Sequence, residues 1–482
     1  MNHTRMLKKI RVFFGFSGLV LVLVLSSSRP AQAATLVVDD DSQCPGAGFT
    51  TIQGAVDAAA PGDRIRICPG TYGEQIGITK PLRIIGDSAV VRPSMMTANT
   101  TNQFTGIPIA AVVLVGGTTN VTIRGLTIDG VNNGIAACEP TLIGIFYQNA
   151  SGKIQNVDIT NMILGGGLEG CQSGLGIFVQ KLSRGVKEVT VETSRIHDYQ
   201  KNGITGTERG TRIRVDRNTV TGIGPTSGAA QNGIQIGFGA TGQINRNVVM
   251  NHIWSPCVSV SDCAFSAAGL AIVRTKNVSI RGNTVRNSQC GICLSGNEGR
   301  VNESQVIGNR VFDTGVLDGI ALTGDNNEVR RNRITNSGRS GILVNGDDNE
   351  ILRNNIDGAR FGVLETPGSE GNVIRRNRFV NPRTPLQDTW IGMRCVCGTF
   401  RKNLNGWISS KGGYMTRVRH CLLIIAAACL TSIGPVQADD SDGVLREVRG
   451  TVLVNQGKNY VVGYSGMKLK PGARPRTERV PL

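Results

Sequence analysis

A short polar segment in the first half of the chain contains the residue types that proton-transfer chemistry needs. It runs from Arg195 to Ile204 and includes His197, Tyr199 and Lys201. A histidine or a tyrosine can act as the base that removes a proton from carbon, and a neighbouring lysine can neutralise a carboxylate on the same substrate. These three residues are therefore the candidate catalytic group, and the chemistry that they predict is proton abstraction next to a carboxylate.

A repeated phrase adds candidate binding residues to this group. Lys201-Asn202-Gly203-Ile204 returns as Gln231-Asn232-Gly233-Ile234, so stacking of one copy on the next would pair their polar residues. The alternative is structural, with Tyr199 packed on a turn and Lys201 paired with Asp198. A substrate-binding role is predicted for Asp198, Asn202, Gln231, Asn232 and Trp254.

The elements that must position these residues belong to a repeat with a period of about 22 residues. Successive asparagines of the repeat are 26, 23, 22 and 23 residues apart, and short Val- and Ile-rich runs bounded by Gly, Asn and Asp accompany each one. Such runs predict strands, and a strand repeat of this length predicts one solenoid coil per copy. We interpret the asparagines as turn residues whose amides bond along the stack. They are Asn283, Asn309, Asn332, Asn354 and Asn377, with Asn218 and Asn247 as earlier members.

Residues 51–86 carry a second recognisable plan. Thr51-Ile52-Gln53 begins a short helix that the pattern extends to Ala60, and Pro61-Gly62-Asp63, Pro69-Gly70-Thr71-Tyr72 and Lys80-Pro81-Leu82 follow. These motifs resemble the N-terminal part of the secreted right-handed parallel β-helix proteins, the pectin-lyase-like superfamily, which includes NosD-like relatives. The resemblance covers about residues 36–385. It implies an all-β, right-handed parallel β-helix solenoid with a short N-terminal capping helix.

The resemblance is specific for fold and poor for activity. The polygalacturonase Gly-His-Gly, the epimerase Asp-Pro-His-Asp and the pectate-lyase Arg-x-Pro-x-x-Arg are all missing from this chain. We therefore predict a protein that binds or processes polysaccharide on the loop-bearing face around residues 197–270, with binding favoured over catalysis. Two alternatives stay open. One is a polysaccharide lyase or uronate epimerase, and the other is a non-catalytic structural or metal-insertion accessory protein.

The charge of the chain is unevenly distributed. The whole chain has a net charge of +17, yet residues 34–390 carry 33 basic and 30 acidic groups, a net of +3. A near-neutral body with few aromatic residues predicts no nucleic-acid partner. Six arginines repeat in register and are interpreted as paired with Glu328, Glu350 and Glu370, with a stripe that holds an acidic polysaccharide as the alternative. They are Arg330, Arg331, Arg333, Arg375, Arg376 and Arg378.

Eight cysteines between residues 44 and 293 predict disulfides, because an even count in an exported chain favours them. No metal ligand set is predicted. Calcium is the one cofactor left open, on the recurring turn residues Asp325, Asp347 and Asp348, which turn chemistry also explains. The cysteines are considered as the pairs Cys44 and Cys68, Cys138 and Cys171, Cys257 and Cys263, and Cys290 and Cys293, although sequence does not determine the pairing.

The two ends of the chain differ from its body. Residues 1–33 combine a basic stretch, an apolar run and Ala31-Gln32-Ala33, which predicts a signal peptide and a secreted, periplasmic or cell-surface protein. The apolar run is too short to predict a stable membrane span. The β-helix is predicted over 34–390, followed by an irregular segment at 391–414, a second signal-like segment at 415–438 and a small β fragment at 439–482. Because a folded exported solenoid has no use for an internal signal, we interpret the last part as a joined reading frame.

Overall fold

The computed structural model describes residues 33–263, 266–294, 299–381 and 384–388, together with three short strands near the C-terminus. Those strands, Val452–Asn455, Tyr460–Gly463 and Arg474–Thr477, form an antiparallel sheet. They fall in the segment interpreted as a small β fragment. The predicted signal peptide up to residue 32, the segment 391–414 and the second signal-like segment lie outside the described residues.

Parallel strands build almost all of the molecule. They form a 23-stranded sheet, called sheet A here, and a 13-stranded sheet, called sheet B. Over most of its length each coil contributes two strands to sheet A and one to sheet B. The strand Thr100–Thr101 is the exception in sheet B, because it pairs antiparallel with its neighbour. This architecture confirms the predicted all-β, parallel β-helix.

The strands have the following bounds. Those of sheet A are Thr35–Val38, Arg64–Ile67, Gly70–Tyr72, Arg83–Val91, Val121–Asp129, Gly152–Gln155, Asp158–Thr160, Lys187–Glu192, Arg195–His197, Thr211–Asp216, Thr219–Thr226, Thr241–Asn245, Val248–Trp254, Val278–Arg281, Thr284–Ser288, Gln305–Ile307, Arg310–Thr314, Glu328–Arg330, Arg333–Ser337, Glu350–Leu352, Asn355–Asp357, Val373–Arg375 and Arg378–Val380. Those of sheet B are Ile76–Ile78, Thr100–Thr101, Pro108–Gly116, Thr141–Gln148, Leu175–Gln180, Asn202–Thr207, Asn232–Gly237, Ala268–Val273, Cys290–Leu294, Ile320–Thr323, Ser340–Asn345, Phe361–Glu365 and Thr384–Asp388. Thr275–Lys276 pairs separately with Val301–Asn302, and a 3-10 helix spans Val260–Asp262.

An α-helix, Ile52–Ala58, packs against the first coils with its apolar face buried. The Thr51 hydroxyl accepts a hydrogen bond from the Gly54 N–H, and the Glu74 carboxylate accepts from the N–H groups of Ile52 and Gln53 at 2.7 and 2.8 Å. A hydroxyl cap and a negative charge both stabilise a helix N-terminus. The helix ends two residues earlier than the sequence indicates, because Ala59 has an extended backbone.

The core is one continuous set of stacked aliphatic side chains. In sheet B, Ile204 lies in register with Ile234, which lies in register with Leu270. In sheet A, Val215 pairs in the same way with Ile244. All five of these side chains are buried. A parallel β-helix stacks like residues about 4.8 Å apart, so β-branched and Leu side chains recur at the inward positions.

The asparagine row confirms its predicted structural role. Asn309 donates from its amide nitrogen to the Asn332 Oδ1 at 3.0 Å and to the Ile280 carbonyl at 3.0 Å, and its own Oδ1 accepts from both the N–H and the amide of Asn283. The same pattern joins seven buried or half-buried asparagines at the corner between the two strands of sheet A. A shorter second ladder joins Asn327, Asn349 and Asn372.

Four disulfides link the eight cysteines of the solenoid. Cys44–Cys68 joins the segment before the capping helix to the strand after it, and Cys138–Cys171 joins two loops. Cys257–Cys263 closes a short loop, and Cys290–Cys293 lies along one strand of sheet B. Disulfides of this number are typical of proteins that fold in an oxidising, extracytoplasmic compartment.

Candidate functional site: the outer face of sheet B

The outer face of sheet B changes character along the solenoid. Near the N-terminal end it is apolar, with Phe146 stacked on Phe178 at a centroid distance of 4.9 Å. The segment 92–107 covers this part, and the N–H of Gln103 donates to the Gln180 side chain at 3.0 Å. Further along, small side chains such as Ala271 and Ala321 line the face. Between these two regions lies a polar patch.

The polar patch consists of Asn202, Thr205, Asn232 and Gln235 on two adjacent strands. Strand register places Asn202 beside Asn232 and Thr205 beside Gln235. The Asn202 amide donates to the Thr205 hydroxyl at 3.1 Å and to the Gln235 Oε1 at 3.2 Å, and the Asn232 amide donates to the same Oε1 at 3.1 Å. The patch is therefore an ordered group of amides and a hydroxyl, as the repeated sequence phrase predicts for its two asparagines.

One atom of the patch lacks a partner. Asn202 is 5% exposed, and its Oδ1 is buried without a hydrogen bond among the described residues. A buried carbonyl oxygen without a partner costs free energy, and in this conformation the atom is closed to a ligand. Asn232 and Gln235 are only half-buried, so their amides are the groups of the patch that a ligand can reach.

Three of the predicted site residues hold a loop beside the patch: Lys201 and Gln231 directly precede its two strands, and Trp254 ends a strand of sheet A. The Lys201 ammonium donates to the Ala230 carbonyl at 2.7 Å, and the Gln231 amide donates to the Tyr199 carbonyl. The Trp254 indole donates to the Gly228 carbonyl at 2.9 Å. These three side chains therefore position the loop 224–231.

His197 and Asp198 lie on a different surface from the patch. His197 projects from the outer face of sheet A, where its Nδ1 is 2.5 Å from an Asp198 carboxylate oxygen and its Nε2 is 3.0 Å from Asp158. Asn202 is only five positions after His197 in the sequence, but the chain turns from one sheet to the other between them. The predicted single site is therefore divided between two surfaces.

Tyr199 is placed in the core, which corrects the expectation that it could act as a base. It is 0% exposed, and its hydroxyl is hydrogen-bonded to the Nε2 of His252. Burial raises the pKa of Tyr199 well above its usual value and lowers the pKa of His252 to about 3. A buried neutral pair of this kind stabilises one packing arrangement and is closed to substrate. The structural alternative, in which Tyr199 packs inside a turn, agrees with this placement.

Glu208 is a titratable residue that the sequence did not single out. It follows the strand Asn202–Thr207 with a φ of +76° and is 8% exposed. Burial raises the pKa of this carboxyl, although a hydrogen bond from the Thr207 hydroxyl partly offsets the effect. A raised carboxyl pKa near a polar surface such as this patch is a common feature of acid–base residues. No sequence pattern marked it, because its burial depends on neighbouring coils.

The arginine row also departs from its prediction. Among the described residues, Arg330 pairs with Glu328 at 2.6 Å, but the other five arginines of the row have no carboxylate within 4.0 Å. Glu350 and Glu370 therefore do not neutralise them. The expectation was wrong because the glutamates and the arginines occupy different positions of the coil.

Comparisons with known proteins identify one matching family and several structures of similar fold. The family described as periplasmic copper-binding protein (NosD) matches residues 244–389. The A-module of the mannuronan C-5 epimerase AlgE4 from Azotobacter vinelandii is 14% identical and superposes with a TM-score of 0.51, over 73% of this chain and 97% of that one. The chain is a parallel β-helix protein of the pectin-lyase-like fold. No curated protein sequence matches it significantly.

Two further solved structures resemble this β-helix protein more weakly. The GH136 lacto-N-biosidase from Eubacterium ramulus is 13% identical, with a TM-score of 0.45 over 72% of this chain and 68% of that one. The surface adhesin PfbA of Streptococcus pneumoniae is 16% identical, with a TM-score of 0.42 over 69% of this chain and 91% of that one.

The described part of the β-helix offers one group of side chains with metal-ligand spacing, the carboxylates of Asp39, Asp40 and Asp41. The turn residues Asp325 and Asp347 instead accept backbone hydrogen bonds from the next coil, at 2.9 and 2.8 Å. No helix among the described residues is long and apolar enough to cross a membrane.

Proposed function

We propose that the chain is an exported polysaccharide-binding β-helix protein that holds a glycan against the polar patch of sheet B. The observation that carries this proposal is the ordered group of amides on the outer face of sheet B, in which Asn232 and Gln235 are half-buried and within reach of a ligand. Amide and hydroxyl side chains match the hydroxyl groups of sugars, because each can donate or accept a hydrogen bond. The sugar-acting name of one structural neighbour, a mannuronan C-5 epimerase, agrees with this direction.

Binding is favoured over catalysis for a geometric reason. A lyase or epimerase needs a cation and a base within reach of one sugar carbon. Tyr199 is buried and His197 faces another surface, so neither lies with the patch. Glu208 is the residue that a catalytic version of the proposal would use, since its buried carboxyl lies one residue beyond the strand that carries Asn202.

The name of the matching family includes copper, so the side chains of this chain are compared with the ligands that copper prefers. Copper sites use imidazole, thiolate and thioether ligands. In the described residues all eight cysteines are in disulfides, and both histidines already bond to other side chains. Asp39, Asp40 and Asp41 supply hard oxygen donors instead. The described cysteines and histidines therefore offer copper no free thiolate and no imidazole without a side-chain partner, and no step of the proposal uses the metal.

The test is binding of the full-length protein to a panel of neutral and acidic polysaccharides by affinity electrophoresis. Gln235→Ala and Asn202→Ala should each weaken binding to the preferred glycan by about 3- to 10-fold, since a neutral hydrogen bond contributes about 0.5–1.5 kcal/mol. Gln243→Ala is the matched control, because Gln243 is exposed on sheet A. It should leave the affinity unchanged.

Two other results would change the interpretation. New reducing ends or unsaturated uronide absorbance in the same incubations would establish an enzyme and make Glu208→Gln the next variant. Absence of binding to every polymer in the panel would reject the proposal and favour the structural or accessory alternative.

A further inference from the structure

The corner of sheet A carries a row of arginines at one repeated turn position. Arg331, Arg353 and Arg376 occupy this position in three successive coils, each directly before an asparagine of the ladder. All three are exposed and have left-handed backbone conformations, with φ of 56°, 56° and 57°. Coils of a parallel β-helix lie about 4.8 Å apart, so the three side chains start at the spacing of adjacent strands.

Further arginines lie next to this row. Arg330 and Arg375 occupy the preceding position in two of the coils, where Leu352 stands between them in register. Together these residues line a cleft of about 190 Å³ on the surface of the solenoid. Of the five arginines, Arg330 alone has a carboxylate within 4.0 Å in the described part of the chain. Four of the five arginines that line the cleft thus have no counter-charge within 4.0 Å among the described residues.

Earlier coils show that the fold does not require this arrangement. The same turn position holds Gly282 and Gly308, with φ of 64° and 65°, and glycine adopts this conformation at lower cost than arginine. Still earlier it holds Arg217 and Arg246, but there Asp216 pairs with both, at 3.0 and 2.7 Å. The position of Asp216 becomes Arg330, Leu352 and Arg375 in the later coils. The same turn is therefore neutralised at one end of the solenoid and left cationic at the other.

We propose that this arginine cleft, formed by Arg330, Arg331, Arg353, Arg375 and Arg376 around Leu352, binds an acidic polysaccharide through its repeated carboxylates. Guanidinium groups bind carboxylates through paired N–H donors, and a row of them at regular spacing suits a linear polymer with an acidic group on each unit. No aromatic side chain lines the cleft, so the base-stacking platform of single-stranded nucleic-acid sites is missing there. This site lies on sheet A and goes beyond the function proposed for sheet B.

The test compares binding of the full-length protein to sodium polygalacturonate and to dextran, which carries no charge. Combined Arg331→Gly, Arg353→Gly and Arg376→Gly substitutions should weaken polygalacturonate binding roughly tenfold and reduce its salt dependence. Glycine suits the conformation at this turn, as Gly282 and Gly308 show. A second variant with glutamine at the same three positions keeps the side-chain length closer to native and removes only the charge. It should show the same loss.

The control removes Arg217 and Arg246 by substitution with glycine. These arginines occupy the same turn position but are paired with Asp216, so polygalacturonate binding should change by less than about twofold. Unchanged affinity in both triple variants, or an equal loss in the control, would overturn the assignment. So would tighter binding of DNA than of polygalacturonate.

The two proposals fail separately. Loss of binding in Gln235→Ala, with full binding in the arginine variants, would reject the arginine cleft and leave the patch of sheet B in place. Loss in the arginine variants alone would do the reverse. Failure of the wild-type protein to bind polygalacturonate would reject the arginine cleft whatever the result on neutral glycans.

Discussion

His252 shows how the interior of a β-helix controls ionisation at the level of one residue. It is fully buried, its Nε2 is hydrogen-bonded to the Tyr199 hydroxyl, and its Nδ1 has no partner among the described residues. Protonation of the ring would place a charge in the core.

We expect His252 to make the protein less stable in acid. Its pKa is lowered from 6.5 to about 3, so between these values the unfolded chain binds a proton that the folded chain does not. The free energy of unfolding then falls as the pH decreases from about 6.5 to about 3, by up to about 1.4 kcal/mol per pH unit. Urea unfolding of wild type and His252→Gln at several pH values measures the difference. A variant curve parallel to that of wild type would contradict the expectation, and His197→Gln is the control, because His197 is the half-buried histidine on sheet A.

Glu208 should have the opposite pH dependence. Burial raises its pKa, so at pH values just above its unfolded value of 4.5 the folded state holds a proton that the unfolded state has lost. The protonated Glu208 carboxyl therefore contributes to the free energy of unfolding at low pH. This contribution is lost as the pH rises through the pKa of Glu208 in the folded state. Glu208→Gln should gain stability relative to wild type at pH 7 and lose that advantage at pH 4. Thermal unfolding at the two pH values measures this, and an advantage of equal size at both would argue against a raised pKa.

At the level of the element, the asparagine ladder is a stack of turns held by side-chain amides. Each interior asparagine satisfies the backbone N–H and the amide of the preceding coil and also donates to a backbone carbonyl. The residue just before the asparagine is in the left-handed region in most coils. The ladder thus provides hydrogen-bond partners for backbone groups that a sharp buried corner would otherwise leave unpaired.

Asn309→Ala tests the contribution of one step of the ladder. Removal of this side chain leaves two donors of Asn283 and the Ile280 carbonyl without partners, and we expect a loss of about 2–4 kcal/mol. The matched control is Asn287→Gly, because Asn287 is exposed and bonds to Asn251 on the surface, and glycine tolerates its φ of 47°. Its cost should be within about 0.5 kcal/mol. Equal costs for the two variants, measured by urea unfolding, would show that the ladder adds little stability.

For the whole molecule, the solenoid depends on contacts between neighbouring coils, so its ends are the places where unfolding can begin. Cys44–Cys68 ties the capping helix to the first strands across 24 residues. Cys257–Cys263 spans 6 residues within a loop. The chain-entropy estimate gives about 3.5 kcal/mol for the longer link and about 2.4 kcal/mol for the shorter one.

We expect Cys44→Ser with Cys68→Ser to loosen the N-terminal end selectively. Amide hydrogen exchange should become faster in the capping helix and in Arg64–Ile67, while the C-terminal coils keep their protection. Cys257→Ser with Cys263→Ser is the control, and its effect should stay near that loop. Uniform loss of protection along the chain in the first variant would indicate that the solenoid unfolds as one cooperative unit.

The sequence predicted the parts of the structure that depend on spacing. Asn332 and Asn354 stack because a period of 22 or 23 residues returns the chain to the same corner of the coil. The neighbours Asn202 and Asn232 were predicted in the same way, since their phrases repeat and strand register follows the repeat. The capping helix was predicted from its N-cap residue and the apolar residues that follow.

Other parts depended on where the chain turns and on what covers it. His197 and Asn202 are close in sequence but lie on different sheets, because the chain turns from sheet A to sheet B between them. The arginine row was expected to be neutralised, but the acidic residues recur at other positions of the coil. Burial of Glu208 comes from neighbouring coils, whose contacts no local pattern encodes.

The sequence by itself therefore determined the repeat, the parallel β-helix and the ladders, because stacking carries each residue of one period directly onto its counterpart in the next. Only the tertiary structure decided which surface each polar residue occupies, which carboxylate reaches which arginine and which atoms lose contact with water. Those properties depend on the corners and on the inserted loops, where the period is broken and the spacing no longer predicts position.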